Sequence, residues 1–283
     1  MRRRTTFLGA ALCLLLCLAG CDSVEDRLVF PGTALQGRPT SVIPPRSDYE
    51  LVPLATADGT RIQAVYGKAL TSSGTAEQDS PRRPTVIFFY GNGACAAGML
   101  EVFYRLRLQG ANVIMADYPG YGMSGGTASE AGCYATADAE YDYVSSLPGT
   151  DKERIVSCGW SMGGAVAIDL AARRKVVSLA TVSAFTSITA MAHTVAAWLP
   201  STLILRSRFD NLSKMPGITC PILIAHGSAD TIVPPSMADQ LVAAAKSQVV
   251  QIRLQGAGHN DAFDAGGTLL WNGLHGIIFT DPR

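Results

Sequence analysis

The stretch Cys158-Gly159-Trp160-Ser161-Met162-Gly163-Gly164 places a serine between two glycines, each two residues away. A serine hydroxyl is almost fully protonated near neutrality and becomes a nucleophile only beside a base. At the tip of a sharp strand-to-helix turn it also needs neighbours with almost no side chain, which Gly159 and Gly163 supply. Val156-Ser157-Cys158 before it reads as strand, and Gly163-Gly164-Ala165-Val166-Ala167 after it as a small-residue helix. The first N–H groups of that helix and its dipole favour developing negative charge at the serine. The bland reading, a tight structural turn, does not require serine at its tip.

The chain has 4 histidines from which a base could come. His193 lies in an apolar helical stretch, His226 precedes Gly227 at a strand end, and His275 falls late in the final helix. His259 alone sits in a flexible loop, Gly256-Ala257-Gly258-His259-Asn260-Asp261, directly after the last strand, where an imidazole can swing toward Ser161. The imidazole needs a carboxylate to orient it, and Asp230 follows a strand in His226-Gly227-Ser228-Ala229-Asp230. Its competitors are worse placed: Asp169 belongs to the serine's own helix, Asp239 to another helix, and Asp210 precedes no strand. The candidate catalytic set is therefore Ser161, Asp230 and His259. A tetrahedral oxyanion would need two further donors. The backbone N–H of Met162 follows the nucleophile, and Asn92, in the loop Gly91-Asn92-Gly93-Ala94 after an early strand, is the second candidate. A nucleotide-binding reading of Gly91-x-Gly93 fails, because the third glycine and the Gly-Lys-Ser/Thr ending are both missing.

These residues need a scaffold that brings strand ends together. Apolar strand candidates fall at 49–56, 61–66, 85–90, 112–117, 155–160, 176–182, 221–226 and 249–254, with Asp58-Gly59 as a hairpin turn between the first two. From the third strand onward they alternate with helical patterns near 97–109, 129–147, 162–174, 236–246 and 265–278. That alternation predicts an α/β fold with a mostly parallel central sheet and helices on both faces. Ligands of such sheets bind at the carboxyl ends of the strands, where each candidate residue lies. A length of 283 residues with 48% hydrophobic and 16% charged side chains suits one large core. Equal acidic and basic counts, 23 each, give no electrostatic reason to expect nucleic acid. No two of Cys95, Cys133, Cys158 and Cys220 share a metal-like C-x-x-C spacing, and nothing in the sequence asks for a metal or another cofactor. Among Cys95, Cys133, Cys158 and Cys220 the first disulfide to consider is Cys95 with Cys133, both expected near one sheet edge; four buried thiols are the alternative.

The N-terminus reads as an address. Arg2-Arg3-Arg4 precede an apolar run from Phe7 to Leu18, too short to span a bilayer as a mature helix. It ends in Leu18-Ala19-Gly20-Cys21, which resembles the lipobox of bacterial lipoproteins, with residues 1–20 as signal peptide and Cys21 as the lipidated residue. That resemblance implies membrane attachment in the cell envelope on the periplasmic side, and Asp22 tilts the expectation toward the inner membrane. Residues 21–47, rich in Pro and Gly, are expected to form a tether, leaving 48–283 as the folded domain.

Further stretches sharpen the picture. Asp117-Tyr118-Pro119-Gly120-Tyr121-Gly122-Met123-Ser124-Gly125-Gly126, Ser183-Ala184-Phe185-Thr186-Ser187 and Gly258-His259-Asn260-Asp261 join the serine turn in the order Ser, Asp, His. From about Leu28 onward the chain resembles the α/β-hydrolase superfamily. The resemblance is to its serine-hydrolase branch with HGN-type oxyanion loops, which includes depalmitoylase-like and lysophospholipase-like members. Tyr90 departs from that pattern, standing where a loop-supporting histidine is usual. The resemblance implies cleavage of carboxylic ester or thioester bonds, in lipid or acyl esters, through an acyl-enzyme on Ser161. A peptidase or amidase using the same residues, or a non-catalytic envelope scaffold, are the alternatives. A small cap over about 185–217 is expected, with Ile188, Met191, Val195, Trp198 and Leu199 spaced either for an acyl groove or for core packing.

Overall fold

Asp58-Gly59 does turn the chain: Gly59 takes a φ of +83°, and β1 (Glu50–Ala55) pairs antiparallel with β2 (Arg61–Gly67). The computed structural model describes residues 27–77, 83–195 and 205–281. The lipobox Cys21, the segment 1–20, and Trp198 and Leu199 of the apolar stripe lie outside the described residues. Beyond the hairpin come β3 (Thr85–Phe89), β4 (Asn112–Ala116), β5 (Ile155–Trp160), β6 (Ser178–Val182), β7 (Ile222–Gly227) and β8 (Val249–Leu254). They form one 8-stranded sheet in the order β1-β2-β4-β3-β5-β6-β7-β8, parallel from β4 through β8. Every residue of β3 and of β6 is buried, as expected of parallel strands covered on both faces.

The described helices of eight residues or more are α1 (Leu100–Leu108), α2 (Glu130–Ser146), α3 (Met162–Arg173), α4 (Ile188–Val195), α5 (Pro235–Ala244) and α6 (Gly267–Ile278). No described helix is long and apolar enough to cross a membrane. Ser129 opens α2 by accepting the Gly132 N–H on its hydroxyl at 3.0 Å. Helices α1 and α6 share one face, joined by Arg105 over the Trp271 ring and by His275 to Gln109. On the other face α3 lies against β3, β5 and β6 with α2 beside it. Ten consecutive residues of α3, Met162 to Ala171, are buried, so this helix fills the core rather than coating it.

Two expectations need correction. The described part of the 21–47 segment is not a loose tether, and packed structure extends N-terminal of residue 48. Val29, Phe30 and Ile43 are buried, and the prolines that read as tether instead open two short 3-10 turns, Pro31–Leu35 and Pro39–Ser41. Gly37 N–H donates to Gly122 O (2.8 Å) and Gln36 Nε2 to Ser124 O (2.9 Å), so this strap is fastened to the loop after β4. Of the two cysteine readings, the thiol alternative is the one found: Cys95, Cys133 and Cys158 are buried free thiols and Cys220 is a half-buried one. Cys95 precedes the turn after β3 and Cys133 lies in the first turn of α2 after β4, so both follow strands from the sheet's interior rather than its edge. Burial pushes the Cys158 thiol up to about 12 and that of Cys220 to about 11.

Among the buried polar residues, Glu140 stands out. Glu140 on α2 is fully buried and neither carboxyl oxygen has a hydrogen-bond partner among the described residues. Burial drives its pKa well above the carboxylate range: the Ala116 N–H, short of a full hydrogen bond, pulls the other way, and the nearby Asp117 charge adds to the rise. Folded protein thus holds a proton that the unfolded chain releases above about pH 4.3. Stability from this site is full below that pH and is lost as pH rises toward the folded value. Glu140→Gln, neutral and similar in size, should flatten the fall in melting temperature between pH 5 and pH 8. Calorimetry across that range checks it, and an unchanged slope would refute the assignment.

Candidate active site

The serine turn is built by close backbone approach. Ser161 follows β5 and begins α3 with φ 56° and ψ −120°, a left-handed conformation that a residue with a side chain adopts at a cost of roughly 1–3 kcal/mol. Its N–H donates to Val182 O at 2.9 Å, pinning the turn to β6. A Cβ at Gly159 would stand 2.0 Å from Gly163 O, and one at Gly163 would stand 2.0 Å from Phe89 O. The two glycines therefore let β3, β5 and α3 meet backbone to backbone, and the Ser161 hydroxyl is what projects from the junction.

His259 reaches that hydroxyl from the loop after β8. Its Nε2 lies 2.9 Å from Ser161 Oγ, and its Nδ1 lies 2.8 Å from Asp230 Oδ2. Gly256, at φ +74°, turns the chain back over the sheet, and Asp261 Oδ1 accepts the Gly258 N–H at 2.7 Å to fix the loop. Trp160 braces the imidazole: its ring lies 5.7 Å away and its Nε1–H donates to His259 O at 3.3 Å. Ser161, Asp230 and His259 are all buried, 6–8% exposed, so their contacts are little screened by solvent.

Asp230 is held from several sides. Its Oδ1 accepts the N–H groups of Ile232 (2.9 Å) and Val233 (2.8 Å), while Oδ2 faces both His259 and His226 Nε2, the latter at 3.3 Å. Burial alone would raise its pKa, but hydrogen bonds from His226, His259 and Val233 outweigh it and hold the carboxyl well below the usual carboxylate range. An ionised Asp230 only accepts, so Nδ1 of His259 must carry a proton and Nε2 of the neutral ring is left to accept from Ser161. His226, passed over in the sequence reading as a strand-end residue, is thus part of the site's support. Its spacing of four from Asp230 across a tight turn was the available signal.

Beside the serine, the loop after β3 closes in, with a Cβ at Gly91 only 3.3 Å from Ser161 Cβ. Met162 is the first residue of α3, and neither its N–H nor that of Asn92 has an acceptor among the described residues. The Asn92 side chain turns away from the serine, with Nδ2 donating to Val29 O at 3.0 Å. Tyr90, the departure from the family pattern, is fully buried and donates its hydroxyl to Asp117 Oδ1 at 2.9 Å. Asp117 also accepts the Ala96 N–H on Oδ1 (2.7 Å) and the Met123 N–H on Oδ2 (2.8 Å), so it ties the loop after β3 to the loop after β4. The tyrosine therefore takes up a loop-supporting position. Among the described residues no group of three or more His, Cys, Asp or Glu is placed to hold a metal ion.

The described part of the cap consists of α4 and the returning chain. Ser187 Oγ accepts the Ala190 N–H at 3.0 Å at the start of α4. Glu130 of α2 accepts the N–H groups of Arg208 (2.6 Å) and Phe209 (2.9 Å) where the cap rejoins the domain. Ile188 and Met191 are half-buried and pack on the core, so for these two the packing reading of the stripe holds.

Comparison with known proteins agrees with this fold. The family model for the alpha/beta hydrolase fold matches residues 84–204. An uncharacterised protein of Mycobacterium tuberculosis is 32% identical over 240 residues, covering 84% of this chain and 82% of that protein. The alpha/beta hydrolase domain-containing protein WAV2 of Arabidopsis thaliana is 30% identical over 79% of this chain and 76% of its own length. Among solved structures, an esterase of Pyrococcus furiosus superposes with a TM-score of 0.66 at 20% identity, over 82% of this chain and 92% of that one. The chain belongs to the α/β-hydrolase superfamily.

The backbone contacts at the turn predict an asymmetry between two glycines. Gly159→Ala should cost at least ~1–3 kcal/mol, because Gly163 O lies where the new methyl must go. Gly93→Ala, with nothing within 4 Å of the new atom, should stay within about 0.5 kcal/mol of the parent. Urea denaturation of both variants measures the difference, and equal midpoints would refute the close-approach argument.

Proposed function

We propose that this protein is a serine hydrolase of carboxylic esters or thioesters, lipid or acyl esters among them, held at a membrane surface through Cys21. The observation that carries the reading is the unbroken line from Ser161 Oγ through His259 to Asp230, with contacts of 2.9 and 2.8 Å. Ser161 Oγ attacks the substrate carbonyl carbon while His259 Nε2 takes its proton. Asp230 keeps the imidazole in the required tautomer and stabilises its cation. The carbonyl oxygen, now an oxyanion, receives the N–H groups of Met162 and Asn92. As the intermediate collapses, the alcohol or thiol leaves with the proton from His259. Water then attacks the acyl-enzyme, giving its proton to His259, and the second collapse releases the carboxylic acid and returns the proton to Ser161.

The likeness to an archaeal esterase agrees with an ester substrate, and a lipobox-like Leu18-Ala19-Gly20-Cys21 supports attachment on the periplasmic side of a bacterial envelope membrane. A fluorophosphonate probe, which phosphonylates activated serines, tests the chemistry on protein beginning at Asp22. The adduct is expected on Ser161 by mass spectrometry and should vanish in Ser161→Ala and His259→Ala. Asp230→Asn should lower turnover of a p-nitrophenyl ester by roughly 10^4-fold, the scale of that change in other enzymes with this arrangement. Folded protein that takes no label would overturn the reading.

A further inference from the structure

The strap before β1 touches the site at one residue, Asn92, and does so from several directions. Asn92 Nδ2 donates to Val29 O at 3.0 Å, and Asn92 O accepts the Gly32 N–H at 2.9 Å and the Tyr121 hydroxyl at 3.0 Å. A carbonyl oxygen has two lone pairs, and both are engaged here. With side chain and carbonyl engaged, residue 92 is restrained, and its N–H, next to Gly91 whose added Cβ would lie 3.3 Å from Ser161 Cβ, has no acceptor among the described residues.

The fit at the strap is close. A Cβ on Gly32 would lie 2.2 Å from Tyr121 Cε1 and 2.7 Å from Asn92 O, so only bare backbone can reach the loop there. Phe30, 1% exposed, anchors the approach, its ring 6.2 Å from that of Phe209 where the cap rejoins the domain. Gly37 and Gln36 fasten the far end of the same segment to Gly122 and Ser124. Besides these bonds, the strap places two more on the side chain and carbonyl of a single residue of the loop after β3, Asn92.

We propose that Val29 and Gly32 are positioning residues of the site: through Asn92 they aim the second oxyanion donor, so that the site is complete only while the strap is docked. This rests on the hydrolase reading above. The strap touches no reacting atom. Its effect appears where negative charge develops on the carbonyl oxygen, and hardly at all in ground-state binding.

The test compares Gly32→Val with the parent protein and with two controls. Leu28→Ala alters an exposed strap residue, and Val52→Ala removes buried packing in β1, away from the strap's bonds to Asn92. The readouts, taken on every protein, are fluorophosphonate labelling rate, kcat and KM on a short p-nitrophenyl ester, affinity for an alkyl boronic acid, hydrogen exchange at the strap amides, and melting temperature. The boronic acid adds to the serine as a tetrahedral anion, and so reports on the oxyanion donors. For Gly32→Val we expect kcat and boronate affinity to fall together by at least ~10-fold, approaching the ~100-fold or greater loss of a whole donor, with KM within about twofold. Leu28→Ala should behave as the parent, and Val52→Ala should lower the melting temperature without a selective loss of boronate affinity.

If Gly32→Val fails to fold, Asn92→Ala serves in its place, since it keeps the backbone N–H and removes the bond to Val29. Parent-like boronate affinity and kcat in a folded variant whose strap amides exchange freely would overturn the proposal. So would a loss matched by Val52→Ala, which would reduce the strap to packing. Failure of the underlying reading looks different: the parent protein itself would take no label on Ser161.

Discussion

The architecture turns on the backbone of one residue. Ser161 is held at φ 56°, and that conformation persists only because the surroundings leave the chain no alternative. The N–H is spent on β6, and two flanking glycines admit main chain from β3 and α3 to distances no side chain would allow. The central strands and the buried helix α3 are thus the elements whose mutual approach defines where the hydroxyl stands. Strand order follows from the same point. With β3 and β6 on either side of β5, the loops that follow all three open beside the serine.

Around this junction the polar groups act through other loops rather than on substrate directly. Asp117, buried at the end of β4, receives one tyrosine hydroxyl and two backbone N–H groups from separate segments. Burial raises its pKa, while those three donors work in the opposite direction. Asp230 plays the corresponding part on the far side of the sheet, where two backbone N–H groups and His226 secure it before His259 is counted. Buried carboxylates satisfied this way act as rigid joints, because rotating one would leave several donors without acceptors in a medium that penalises it.

The sequence made the local features legible. Strands and helices appeared as apolar runs and small-residue patterns, and Ser161, Asp230 and His259 could be picked because each directly follows a strand. That rule depends only on neighbours along the chain. Harder to read were features set by contacts distant in sequence. Prolines and glycines at 31–44 announce irregular backbone, yet do not say whether it floats or packs; Val29, Phe30 and Ile43 decide that by burial, which composition does not encode. Cys95 and Cys133 looked pairable by position, yet both are buried free thiols. His226 reads in the sequence only as a strand-end residue before Gly227, and its contact with Asp230 follows from how the turn closes. Tyr90 looked like a flaw until Asp117 was found to accept its hydroxyl.

His259 and Ser161 are separated by 98 residues, and the base is carried behind β8, an outermost strand whose only sheet partner is β7. Such edges are the first parts of a sheet to fray, opening at a free energy below that of global unfolding. The nucleophile's turn, by contrast, is locked in the middle of the sheet. A brief peeling of the last strand would therefore carry off the imidazole while leaving the serine in place, as an ordinary alcohol. The contact between imidazole and hydroxyl is only as durable as the pairing of β8 with β7.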